Sequence, residues 1–147
     1  MSQASSVHTN TQRAVLLAPL TIGAAVSATA TTPITDLGGM KHLTVEAKFL
    51  YGAGGTTVDA YIQTSLDGGV SWIDIMQFAF TTAAANKVSS VTSCIAPAAQ
   101  AFSPSDGALT SNTIIQGVLG DRIRLKYVTV GTYSGATSLA VYMVAKG

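Results

Sequence analysis

Polar and apolar positions alternate with a period of two along much of this chain, which predicts strands rather than helices. In residues 41–51, Leu43, Val45, Ala47 and Phe49 face one way, against Thr44, Glu46 and Lys48. Residues 58–63 repeat the pattern, with Val58, Ala60 and Ile62 opposed to Asp59, Tyr61 and Gln63, and a second apolar strand begins at Trp72. Between them Asp67-Gly68-Gly69 predicts a tight turn: glycine reaches positive φ without steric cost, and aspartate bonds back to its own turn. Residues 122–130 set Arg122, Arg124 and Lys126 against Ile123, Leu125 and Tyr127, and a last strand covers 137–145 beyond a Gly-rich turn at 131–136.

The remaining segments are weaker. Residues 13–18 and 21–29 read as two short strands hinged at Pro19, and 31–40 as a loop with turn residues at Pro33, Asp36 and Gly38-Gly39. The glycine-rich 52–57 reads as a hairpin loop, 87–96 as a strand, 97–112 as a long loop and 113–119 as another strand. Loops of that length in a compact domain are often interaction elements. The strands flanking 131–136 parallel those flanking 52–57, which we read as convergent turn chemistry rather than a repeat. No segment carries a capped helical stripe. About eight to ten strands joined by turns imply an all-β, two-layer antiparallel sandwich of Greek-key or jelly-roll type. One domain over 13–147 is expected, preceded by an extended N-terminal arm, residues 1–12, which is polar and without periodicity.

Composition sharpens this picture. The chain has 147 residues, of which 48% are apolar and only 10% charged. Globular chains carry about 25% charged residues, so a surface this bland is expected to face other protein. The net charge of +1 makes no general case for nucleic acid or an anionic membrane. The apolar run 14–30 resembles a signal-peptide core, but Pro19 interrupts it and a single positive charge precedes it, so a leader is not expected. Cys94 is the only cysteine. It excludes an internal disulfide and reads as a small buried hydrophobe.

Candidate chemistry is sparse. The acids Asp36, Glu46, Asp59, Asp67, Asp74, Asp106 and Asp121 stand singly, and those flanking the 64–72 turn read as turn caps and solvated faces rather than a glycosidase pair. With two histidines, one cysteine and no Asp-rich loop, neither a zinc nor a calcium site is expected. No serine sits in a G-x-S-x-G elbow. We therefore expect no catalytic residues, no metal and no cofactor. Arg122, Arg124 and Lys126 share one strand face; they read as a solvated outer face or as a surface for an acidic partner subunit. Trp72, Phe78, Phe80, Phe49 and Tyr127 are expected in the core. Tyr51, Tyr61, Tyr133 and Tyr142 could supply exposed rings for a carbohydrate-binding module, the alternative reading.

Two resemblances add to this. Ser65-x-Asp67-x-Gly69-x-Ser71-Trp72 resembles the Asp-box of sialidases and other β-proteins, a folding device in which the aspartate caps turn amides and the tryptophan packs beneath; it implies no catalytic residue. The stretches TDLGGMKHLTVEAKF, YIQTSLDGGVSWIDI and LGDRIRLKYVTVGTYSGATSLAVYMVAKG are together similar to small structural proteins of tailed bacteriophage virions. That resemblance implies a capsid decoration (cement) or minor capsid protein, with a neck or tail component as the alternative. It would be assembled in the host cytoplasm and located in the virion. Its partners would be its own copies, the major capsid protein or other virion subunits, with no specific nucleic acid and no membrane.

Overall fold

The structure, a computed structural model, describes residues 12–31, 34–95 and 101–147. Eleven strands follow in chain order: β1 (Gln12–Thr21), β2 (Val26–Ala30), β3 (Thr35–Asp36), β4 (His42–Leu50), β5 (Ala53–Gly54), β6 (Thr57–Ser65), β7 (Ile73–Phe80), β8 (Ala85–Thr92), β9 (Arg122–Val130), β10 (Tyr133–Ser134) and β11 (Ser138–Lys146). Sheet A has the order β1-β11-β4-β8, and sheet B the order β2-β9-β6-β7, with β3 beside the start of β9. All pairings are antiparallel. Because β2 and β3 lie along the same side of β9, they act as one interrupted strand. Eight strands then form two four-stranded sheets, and every connection between them crosses from one sheet to the other except the β6–β7 hairpin. That connectivity is a jelly roll.

Alternation decides which side chains the sheets enclose. Leu43, Val45, Ala47 and Phe49 of β4 and Leu139, Val141, Met143 and Ala145 of β11 meet Val58, Ala60 and Ile62 of β6, Phe78 and Phe80 of β7, and Ile123 and Leu125 of β9. Phe49 stacks on Phe80 across the layers, ring centroids 5.0 Å apart. A bulge between Ile62 and Gln63 sets Gln63 opposite Asp74 and lets both Ile75 and Met76 join the core. Each buried Val, Leu, Ile or Phe contributes about 1.5–3 kcal/mol, so this cluster is the main source of stability.

Several sequence expectations need correction. Pro19 is no hinge: β1 runs through it, paired with Ala140, and the irregularity lies between Leu16 and Ala18. Proline is tolerated there because β1 is an edge strand, whose outer side needs no N–H. Residues 113–119 are not a strand, keeping only an isolated bridge from Ile114 to Met76. Gly117 at φ 87° breaks the extended run. Cys94 is exposed, because it follows the end of β8. Residues 1–11 of the expected arm lie outside the described residues, and Gln12 already belongs to β1.

The 52–57 and 131–136 segments are not hairpin loops but arches, since each joins a strand of one sheet to a strand of the other. Their likeness has a structural reason: β5 and β10 lie in these arches and pair with each other, Gly54 opposite Tyr133. Gly55, at φ 67°, lies on the Tyr133 ring, where a Cβ would come within 2.4 Å of three ring carbons. The buried Tyr133 donates its hydroxyl to Thr81 O at 2.8 Å and meets Phe49 edge-on.

Candidate functional site

Strands open to solvent on one face should be buried on one face only, yet β6 is buried on both from Ala60 to Ser65. The cover on its outer side is the long loop between β8 and β9. Asp74, with no exposed surface, holds that loop. Its carboxylate accepts hydrogen bonds from Gln63 Nε2 (2.7 Å), Ser105 Oγ (2.7 Å) and the backbone N–H groups of Gly107 (2.8 Å), Ala108 (2.9 Å) and Leu109 (3.1 Å). Asp74 N also donates to Ser105 O. A buried charge is tolerable only when its lone pairs are met by donors, and here successive loop amides meet them. The expected solvated face is thus wrong for Asp74, which was placed by the bulge opposite Gln63.

Gln63 links this clasp to the basic stripe. Its Nε2 also donates to Asp106 Oδ1 at 2.7 Å, while its Oε1 accepts from Arg124 Nε at 2.7 Å. Arg124 lies over the Trp72 ring, 4.2 Å from its centroid, and Lys126 Nζ reaches Asp106 Oδ1 at 2.8 Å. Arg122 pairs with Asp36 and Asp121, both at 3.3 Å. So Arg122, Arg124 and Lys126 do share a face, as their spacing requires, but Arg124 and Lys126 face the chain's own loop rather than open solvent. Lys126's hydrogen bond holds the Asp106 carboxyl below the usual carboxylate range, against the opposing effect of burial, with Gln63 helping. Burial pushes the Arg124 guanidinium down, opposed by Asp106 and Asp74.

Beyond Asp74, the loop runs between the edges of β7 and β8 and joins them at a few points. Asn112, at φ 56°, donates its N–H to Gln77 Oε1 (2.6 Å), and its Oδ1 accepts from Ala79 N (3.1 Å) and Lys87 Nζ (2.9 Å). Gln116 uses its side-chain amide as a strand would use a peptide group: Oε1 accepts from Thr92 N and Nε2 donates to Ser90 O.

The 65–72 turn is built on Asp67. Its Oδ1 accepts from Val70 N (3.1 Å), Ser71 N (2.8 Å) and Ser65 Oγ (2.8 Å), its Oδ2 accepts from Ser71 Oγ (2.7 Å), and Gly69 N donates to Ser65 Oγ (2.8 Å). These donors, the Ser71 amide first, hold its pKa at about 2. Trp72 is buried beneath Gly69, where a Cβ would stand 3.7 Å from its Cζ2. With the polar groups turned inward, Leu66 and Val70 are left outside.

Of the four tyrosines considered for sugar stacking, Tyr61 and Tyr133 are buried, Tyr51 is half-buried against the core and Tyr142 is 43% exposed. Trp72, Phe78, Phe80 and Phe49 are in the buried set, with Tyr127 packed against it. Sequence reasoning missed the Asp74 clasp. Its one signal was a carboxylate inside the apolar run IDIMQFAF.

These features define an all-β jelly roll whose most elaborate polar cluster fastens a loop. Comparison with protein-family models, curated proteins and solved structures finds no match to the chain.

Proposed function

We propose that this chain is a non-enzymatic virion structural protein, a capsid decoration or minor capsid protein that stabilises a shell by bridging its subunits. The observation that carries this reading is the character of the surface. Among the described residues ten large apolar side chains are exposed, Val70 at 84% and Leu66 at 64%, whereas the whole chain has 8 basic and 7 acidic residues. Several of those charges are spent internally: Asp74 on the loop, Asp67 on its turn, and Arg124 and Lys126 on Asp106. A closed fold with so little free charge is suited to contact with other protein. Viral capsid domains commonly use the jelly-roll architecture; fold analogy supports the reading but cannot carry it.

Saturation of the Asp74 and Asp67 carboxylates by structural donors favours a mechanical role over general acid–base chemistry. Each bound copy would add interface to the assembled shell and stabilise it by mass action. Quantitative mass spectrometry of purified particles of the encoding virus tests this. Hundreds of copies per particle are expected; a few dozen or fewer would indicate a neck or tail component, and absence from particles would overturn the reading.

A further inference from the structure

Sheet A ends on one side at β8, which hydrogen-bonds to β4 along its inner edge. In an antiparallel ladder a residue's N–H and C=O point to the same side, and successive residues alternate. Ser90 O and the N–H and C=O of Thr92 point outward, to Gln116 and Gly117. Asn86 and Val88 therefore present their backbone groups to the same outer edge. Among the described residues nothing pairs with them there. Natural edge strands are commonly blocked by a charge, a proline or a bulge. Here the one charge on the strand, Lys87, is turned across the sandwich to Ala79 O and Asn112 Oδ1.

Beside this open edge lies a groove of about 390 Å³ that reaches Phe78, Ile114, Lys87 and Ser89. A strand added to β8 would send alternate side chains into the groove and the others alongside Val88, which is 63% exposed. Gln116 already occupies the neighbouring stretch of the edge with an amide that imitates a peptide group, so the edge accepts partners in this geometry.

We propose that the Asn86–Val88 edge and its groove receive residues 1–11 of a second copy as an added strand. Those residues precede β1 directly and include no charged side chain, glycine or proline; Val7 is their one β-branched apolar residue. A neutral strand suits a groove whose only charge is already bonded. Length permits the exchange: eleven extended residues span about 36 Å, against a sheet A about 14 Å across its four strands. Gln12 is level with Thr92 through the Lys146 and His42 registers, so the segment starts at the edge of the sheet opposite its own β8. The choice of a second copy as the neighbour rests on the bridging role proposed above.

The test uses the purified full chain, so its outcome is independent of the particle count. Hydrogen exchange at the Asn86 and Val88 amides, followed across protein concentration, should slow at least about tenfold as copies associate. A synthetic peptide of residues 1–11, in excess, should dissociate the copies while keeping these two amides protected. The same peptide with Val7→Asp should compete roughly tenfold less well or worse, because it would bury an unpaired carboxylate. Val88→Pro, which removes an edge N–H outside the β4 ladder, should weaken association about fivefold or more while leaving the Tm of the dilute, dissociated protein unchanged. Amides that stay unprotected in associated protein would overturn the proposal. So would protection independent of concentration, which would mean the chain's own residues 1–11 fill the groove, and so would a peptide without effect.

Discussion

Replacing Asp74 with alanine removes the acceptor for five donor groups: Gln63 Nε2, Ser105 Oγ and the N–H groups of Gly107, Ala108 and Leu109. Left dry, each would cost about 1–3 kcal/mol. Their sum would reach the whole stability of a domain, about 5–15 kcal/mol, so the loop cannot stay docked over an empty site. It should lift instead and return its amides to water. The loss is then limited to what docking contributes, and for a broken buried charge network about 3–5 kcal/mol is expected. At about 2–4 °C per kcal/mol for a chain of this size, Tm should fall by roughly 10 °C. Urea unfolding followed by the single tryptophan, Trp72, measures the global change, and hydrogen exchange at Gly107–Leu109 measures the loop. Asp74→Asn keeps the volume and one carbonyl oxygen, so it should fall between the two. A D74A protein within 1 kcal/mol of the parent, with the 107–109 amides still protected, would refute the clasp.

Three further outcomes are expected. Asp67 has its pKa depressed from 3.8 to about 2 in the folded chain, so its contribution to stability is complete above about pH 4 and lost as pH falls through about 2. Urea midpoints at pH 5 and pH 2.5 should therefore diverge more in the parent than in Asp67→Asn; Asp106, also held low, acts with the same sign in both proteins, and equal divergence would contradict the turn geometry. Gly55→Ala should destabilise by about 3 kcal/mol or more, combining a left-handed backbone with overlap on the Tyr133 ring, whereas Gly68→Ala, at φ 71° with nothing within 4 Å of its added carbon, should cost only about 1–2 kcal/mol; thermal melts of the pair separate the two causes. Tyr133→Phe loses the hydroxyl bond to Thr81 O and should cost about 1 kcal/mol, measurable as a small drop in urea midpoint without change in slope.

Which side chains point inward was legible from the chain alone. Leu43, Val45, Ala47 and Phe49, and again Val58, Ala60 and Ile62, are buried as their alternation requires, because side-chain direction along a strand is set by the backbone itself. The Asp67 turn is local in the same sense: its donors and acceptors lie within seven residues, so its wording predicts its bonds. Tertiary structure alone decided what lies over the outer faces and which strands meet. Gln63 and Asp74 are 11 residues apart and Asp74 and Gly107 are 33 apart; a buried carboxylate and a solvated one read alike until the loop is placed. The two glycine-rich arches read as hairpin loops because their glycines mark reversals, but whether a reversal stays in one sheet or crosses to the other depends on long-range packing of both layers. Arg124 and Lys126 likewise occupy the face that alternation assigns, and only the fold put Asp106 opposite them.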